Sequence, residues 1–435
     1  MTQANSRDKK VQVNRRRFMQ ASAAGAAILA SAPNVHADGN DTLRIGLIGC
    51  GGRGTGAAAQ ALRADRNVRL TALGDAFRDK LEGSLTQLRA DAAIANKIDV
   101  PRERQFVGFD AYRDVLNSGV DVVLLCSPPH FRPAHLEAAV NARKHVFAEK
   151  PVAVDAPGVR RCLAACRMAQ ERRLSIVSGL CWRYHGGMRE TFSRIHQGSI
   201  GDIVSMQCSY NTGLLWSHAR QASWSDMEWQ MRNWLYFTWL SGDFNVEQHI
   251  HSLDKMAWAM RDQYPVRASG LGGRQVRTAP EFGNIFDHHA VVYEYANGVK
   301  CFSQCRQMAN CTNDVTDHVW GTQGTCDVMR HRMTARDGRR VIWQYPAARA
   351  RGDDMYQTEH NELFASIRSG NPINNGEYMT KSSMMAIMGR MATYTGQTIT
   401  WEQAMNSRED LTPQRYEWGQ LRVPEVARPG VTQFS

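Results

Sequence analysis

The stretch "TLRIGLIGCGGRGTGAAAQAL", residues 42–62, leaves little freedom in what this chain can fold into. Leu43 to Ile48 is a compact apolar run of strand length. Gly49, Cys50, Gly51, Gly52, Arg53 and Gly54 then fit G-x-G-x-x-G, and an alanine-rich helical stretch follows. Glycines so placed permit a tight turn, let the main chain approach a pyrophosphate, and let the helix pack closely on its sheet. The helix start offers unpaired N–H groups and a positive dipole to the phosphates. A glycine motif alone is weak evidence; the strand before it and the helix after it give it force.

The next strand, "VRLTALGD", ends at Asp75, 26 residues past Gly49. That is close to the roughly 20 expected for the acid that binds a ribose 2′-hydroxyl, and it favours NAD. Arg78, three residues on, could instead meet a 2′-phosphate, so NADP stays open; an N-cap role is the bland reading of Asp75. "VDVVLLCSPP" reads as a buried parallel strand over Val120–Leu125, "HFRPAHLEAAVNARK" as a helix, and "HVFAEKPVA" as a strand running into a loop. Such alternation predicts a doubly wound sheet with ligands at the carboxyl ends of its strands. Ser127, Pro128 and His130 lie at one such end, Glu149 and Lys150 at the next, all as cofactor-site candidates alongside the glycine loop.

At 435 residues, 43% hydrophobic and 22% charged, the chain has room for two ordinary globular domains. We expect a Rossmann domain over 41–170 and a substrate-binding and oligomerisation domain over 175–435, its last helices free to pack back on the first. The second half shifts to longer alternating strands: "DIVSMQCSYN", "HHAVVYEYANGVKCFSQCRQ" with a hairpin turn at Asn297-Gly298, and "RRVIWQY". "TEHNELFASIRSGNP" and "SSMMAIMGRMATYTG" read as helices stopped by Gly370 and Gly396. The fold class is therefore α/β, a Rossmann domain followed by an α+β domain with a large, mainly antiparallel or mixed sheet.

Residues 1–37 read as a twin-arginine export signal: Arg15 and Arg16 in "NRRRFMQ", a short weakly apolar run, and a small-residue cleavage site ending at Ala37. The run is too short to span a bilayer, so a periplasmic protein without stable membrane insertion is expected. Removing the segment would lower the net charge from +11 to +6, and no lysine-rich block or nucleic-acid motif remains. The ten cysteines contain no C-x-x-C pair and read mostly as small core residues.

"DFNVEQHIHSLDK", residues 243–255, carries two histidines between two acids. Val246, Ile250, Leu253 and Ala257 recur at helical spacing, with Gly242-Asp243 as the helix start. On one continuous helix Glu247 and His251 share a face with Asp254, while His249 and His251 point apart. An H-x-H metal pair needs a strand, and no third ligand presents itself, so no metal is expected.

G-x-G-x-x-G, "CSPPHFRPAH" and "HVFAEKP", in this order, resemble the Gfo/Idh/MocA family of NAD(P)-dependent sugar oxidoreductases, over nearly all of the chain after residue 41. That family carries a G-G-x-x-x-D-x-G-x-H-x-x-D segment, onto which Glu247, His251 and Asp254 fall. The resemblance implies a carbohydrate substrate and a homo-oligomer. It also frames the chemistry: Lys150, desolvated beside a nicotinamide, would have a lowered pKa and take the hydroxyl proton. His251 would bond the same or the adjacent hydroxyl, and Glu247 would fix its tautomer. Arg183, Tyr184, Arg232 and Trp234 are substrate-binding candidates with Asp254. Among Trp224, Trp229, Trp234 and Trp239, packing competes with sugar stacking.

Export constrains the mechanism, because no nicotinamide pool is evident outside the cytoplasm. The expected function is an NAD(P)-dependent oxidoreductase acting on a sugar or sugar-derived hydroxyl with a tightly bound, internally recycled cofactor. The alternative is an NAD-dependent glycoside hydrolase working by transient oxidation and elimination.

Overall fold

A computed structural model describes residues 41–350 and 352–435; the export-signal reading of residues 1–37 lies outside them. Six parallel strands make the first sheet: β1 (Leu43–Ile48), β2 (Val68–Asp75), β3 (Gln105–Val107), β4 (Val122–Leu125), β5 (His145–Ala148) and β6 (Ile176–Ser178). Their order is β3-β2-β1-β4-β5-β6, so the chain reverses direction of travel between β1 and β4. Four of β1's last residues and all of β4 are buried, because helices cover both faces. Near-continuous apolar runs are what such burial requires.

The second sheet has nine strands: β7 (Ile203–Thr212), β8 (Arg267–Gly273), β9 (His288–Glu294), β10 (Lys300–Gln307), β11 (Asp314–Gly321), β12 (Gly324–Asp327), β13 (Arg332–Ala335), β14 (Val341–Gln344) and β15 (Ile399–Thr400). They lie in the order β14-β13-β12-β11-β7-β10-β9-β8-β15. β7 and β10 run parallel and their other neighbours antiparallel, so the sheet is mixed, as expected. β9 and β10 form the hairpin read at Asn297-Gly298, Gly298 taking a φ of 84°. β10 alternates exposed and buried side chains, the mark of a sheet covered on one face only.

Eight helices matter for the site: α1 (Gly52–Ala64), α2 (Arg78–Ala90), α3 (Arg132–Asn141), α4 (Asp226–Arg232), α5 (Phe244–Glu247), α6 (Ile250–Ala259), α7 (Met355–Arg368) and α8 (Gly376–Thr395). α7 packs on α1 of the first sheet's layer, with Arg368 paired to Asp65 at 2.8 Å and Gln357 bonded to the Gln60 carbonyl at 3.0 Å. α8 is buried along almost its whole length and ends at Gly396, φ 73°. All ten cysteines are free thiols, and nine of them are buried or half-buried.

The 243–259 segment departs from the single helix its periodicity predicts. It is two helices, α5 and α6, separated at Gln248-His249. The His249 N–H reaches back to the Phe244 carbonyl, five residues away, and this wide turn changes the facing of everything after it. Asp243 fixes the start. It sits at a φ of 79°, fully buried, and its carboxylate accepts from Phe286 N at 3.0 Å and Tyr394 OH at 2.5 Å, facing His289 Nε2 at 3.1 Å.

Candidate active site

The glycine loop opens onto a cavity of about 490 Å³. A Cβ on Gly49 would lie 2.3 Å from the Ser127 nitrogen, and one on Gly54 would lie 1.9 Å from the Gly49 carbonyl oxygen; at Gly51 and Gly52 it would meet nothing within 4 Å. The turn is thus tight on its inner side and open toward the cavity. No side chain caps α1, so its first N–H groups remain available to phosphate. Ser127, Pro128 and Asp75 line the same cavity. Asp75 accepts from Cys50 N at 2.6 Å and Phe77 N at 2.8 Å. Burial pushes its carboxyl up despite those bonds. The helix α2 begins at Arg78 behind an N-cap at Phe77, so Asp75 is not its cap. An open turn, uncapped amides and a carboxylate at the end of β2 fit a dinucleotide.

At the carboxyl end of β5, Lys150 crosses to the second domain. Its ammonium donates to the Glu247 carboxylate at 2.8 Å and to the Glu247 carbonyl at 2.7 Å. Burial lowers this amine's hold on its proton, but Glu247 outweighs burial, and the net pKa is raised. The expected depression of Lys150 is therefore reversed by a carboxylate that sequence had assigned elsewhere. Glu247 bonds Lys150 and not the His251 Nδ1, and the break between α5 and α6 separates the two residues. His251 is pushed well below an ordinary imidazole by burial and then by the positive charges of Lys150, Lys255 and Arg53. It is neutral, and its Nδ1 has no hydrogen-bond partner. Tyr210 of β7 joins this corner: burial raises its phenol, and Lys150 acts in the opposite direction. Sequence reasoning missed Tyr210, whose only signal was its place on an alternating strand.

Residues 43–177 match the oxidoreductase family with an NAD-binding Rossmann fold, and residues 188–327 match the GFO/IDH/MocA C-terminal domain. The chain belongs to the Gfo/Idh/MocA family. It is 25% identical over 205 residues to 2,7-anhydro-N-acetylneuraminate hydratase of Escherichia coli (strain K12), covering 47% of this chain and 50% of that protein. It is also 25% identical over 273 residues to inositol 2-dehydrogenase of Serratia proteamaculans (strain 568), covering 61% and 68%. The chain thus spans 50% and 68% of the lengths of these two curated relatives. Aldose-aldose oxidoreductase from Caulobacter crescentus shares the fold at a TM-score of 0.63 and 19% identity, over 82% of this chain and 99% of that one.

Other candidates carried over from Gfo/Idh/MocA, or placed by strand ends, fall elsewhere. Arg183 is buried and bonds Asp254 twice, at 2.9 and 2.8 Å, and Asp262 at 2.6 Å. Asp254 takes a further bond from Ser382 at 2.7 Å. Both are engaged by other side chains of the protein. Tyr184 is buried with its hydroxyl on Asn375 at 2.6 Å. Arg232 and Trp234 line the nucleotide cavity rather than a separate sugar pocket, and Arg232 chelates Asp79 of α2 with two bonds of 3.0 Å. Trp229 and Trp239 are buried in a core cluster with Met227 and Phe237, which is packing. His249 is buried, with Nε2 2.7 Å from Ser303 Oγ, as a structural residue would be.

Of the remaining cofactor candidates Arg53 lines the cavity, whereas His130, Glu149 and Lys150 do not. His130 is outside the nucleotide cavity, buried, its Nε2 2.7 Å from Tyr416 OH. Burial takes its imidazole down to about 4. Glu149 pairs with Arg53 and accepts from Lys150 N at 3.1 Å, away from the cavity lining. Arg53 lines the cavity, but its guanidinium is held by Glu149 and by Glu359 of α7, the latter at 2.8 Å. It braces the glycine loop against β5. Glu359 is fully buried, and its carboxyl is pushed well up by burial and by Glu149. Phe77 and Phe109, two further cavity walls, went unread although Phe77 lies two residues past Asp75.

Proposed function

We propose that this Gfo/Idh/MocA member is an NAD(P)-dependent oxidoreductase acting on a CH–OH group of a sugar or sugar-derived substrate, with its dinucleotide kept bound and recycled. The carrying observation is the Lys150–Glu247 pair, just past the carboxyl end of β5, beside a neutral, unpartnered His251. When bound, the dinucleotide supplies the two-electron acceptor. The chain's own residues handle the proton and the oxygen. Lys150, kept charged by Glu247, has a third N–H to donate to the substrate oxygen, and His251 accepts the hydroxyl proton as the hydride departs. This exchanges the proton role first expected of Lys150. NAD is favoured over NADP by the Asp75 carboxylate at the end of β2. We extend the proposal to export by the twin-arginine route and to a homo-oligomer.

Denaturing the purified mature protein and identifying the released nicotinamide tests the cofactor. A sugar panel followed at the absorbance of reduced dinucleotide then tests the reaction. Absence of both a released nicotinamide and any absorbance change would overturn the reading. A hydratase among the relatives keeps one second reading in play, in which oxidation is transient and the net reaction adds or removes water or cleaves a glycosidic bond. Product stoichiometry separates the two, since only the oxidoreductase leaves a net oxidised sugar.

A further inference from the structure

Residues 407–435 contain neither helix nor strand. A run of that length is uncommon in a compact fold without a function of its own, and this one is tied to both halves of the protein. Glu409 pairs with Arg390 of α8, and Leu411 N donates to Asp155 at 3.0 Å. Further on, Gly419 O accepts from Met227 N of α4 at 3.1 Å. Leu421 bonds α4 twice, donating to Asp226 at 3.1 Å and accepting from Gln230 at 2.7 Å. Between these ties Trp418 lies against Phe77 and Phe109, with ring centroids 5.2 and 4.6 Å apart.

Phe77 and Phe109 form the cavity wall next to Asp75 on the inside, and Trp418 backs that wall on the outside, 46% exposed. The same Phe77 ring is faced by Arg232 of α4, whose guanidinium lies 4.1 Å from its centroid while it chelates Asp79. Two pieces of the second half therefore grip one aromatic wall of the nucleotide cavity, and they are bonded to each other. Trp418 is thus in contact with both rings of that wall.

We infer that the 407–435 strap is a latch that sets how long the dinucleotide stays bound, with Trp418 as its bolt and the Arg232–Asp79 pair as its hinge-side clasp. The inference rests on the proposal that this cavity holds a nicotinamide dinucleotide. A segment without regular structure, held by a few side-chain and main-chain bonds, opens at far lower cost than the sheet beneath it. Opening of the strap, and not of the glycine loop, then limits release.

The test uses the mature full-length chain loaded with NADH. The complex is mixed with excess NAD, and loss of bound-NADH fluorescence gives the release rate. Trp418→Ala should release at least ten-fold faster than wild type, and Trp418→Phe should stay within about three-fold. Asp79→Asn, at a well-exposed carboxylate away from the strap, should give a smaller acceleration and covers the case in which Trp418→Ala folds poorly. Release rates within two-fold of wild type in both Trp418→Ala and Asp79→Asn would overturn the latch and leave the dinucleotide reading standing. A wild type that binds neither NADH nor NADPH would overturn that reading and the latch with it.

Discussion

Two ion pairs reach across the interior of this protein, Lys150 with Glu247 and Arg183 with Asp254, and the family motif nominates members of both for chemistry. They differ in what remains after the protein has used them. Arg183 engages Asp254 and Asp262 together and lies between the rings of Tyr378 and Trp258, 4.1 and 5.0 Å from their centroids; Asp254 also holds Ser382. Lys150 has used two of its three donors, and the imidazole near it has a nitrogen with no partner. A buried charge with every bond satisfied internally holds structure together, whereas one with capacity left over is prepared for a ligand.

The largest effects should separate the pairs cleanly. Lys150→Ala removes both the donor to the substrate oxygen and the charge beside His251. Turnover of the folded fraction should fall by at least about 10³-fold, within the range for lost acid–base and electrostatic groups, with a smaller loss of stability than in Asp254→Asn, because the stranded Glu247 is more exposed than Arg183. Asp254→Asn should do the reverse. It leaves the buried Arg183 short of a charge partner, which costs about 3–5 kcal/mol in comparable cases, while kcat of the folded fraction stays near wild type. Calorimetry and steady-state kinetics on the two variants check this, and a stable but inactive Asp254→Asn would erase the distinction.

That distinction was only half visible in the sequence. The glycine loop, β2 ending at Asp75 and the strand leading into Lys150 were legible because each rests on local chemistry: a turn only glycine tolerates, an apolar run, a loop after a strand. The hairpin at Gly298 and the stop at Gly396 were legible for the same reason. What failed was facing. The periodicity of Val246, Ile250 and Leu253 argued for one helix, and nothing local announced the break at Gln248-His249, which is set by His249 seating on Ser303 of a distant strand. Once that register moved, Glu247 belonged to Lys150 instead of His251. Arg183 looked like a cleft residue because it follows a strand end, but its partners Asp254 and Asp262 come from 71 and 79 residues away. The strap was illegible for a simpler reason, since it has no period to read.

Glu247→Gln sharpens the comparison from the other side. Glu247 is what raises the pKa of Lys150 against burial. Without its charge, burial wins and the ammonium gives up its proton at lower pH. The alkaline limb of the kcat/KM profile should therefore move to lower pH by about one unit or more, a ten-fold loss at the pH where the limb begins. A limb that stays put would mean that Lys150 does not need its charge during turnover.

The smallest effect sets His130 against His251. Both imidazoles are neutral at neutral pH for the same first reason, burial, yet His130 already has Tyr416 at 2.7 Å and His251 has no partner on Nδ1. His130 titrates near 6.5 when unfolded and at about 4 when folded. Its folded pKa is depressed, so below 6.5 the unfolded chain binds the extra proton. The stability this histidine permits is complete above pH 6.5 and is lost as pH falls from there toward 4, by about 1.4 kcal/mol per unit. His130→Gln keeps a partner for Tyr416 and removes the titration, so denaturant midpoints measured at pH 6.5 and 5.5 should draw closer together than in wild type. His251→Gln should instead abolish turnover at both pH values. Parallel stability profiles for wild type and His130→Gln would show that this imidazole already bears its proton in the fold, and that a satisfied partner is not what separates it from His251.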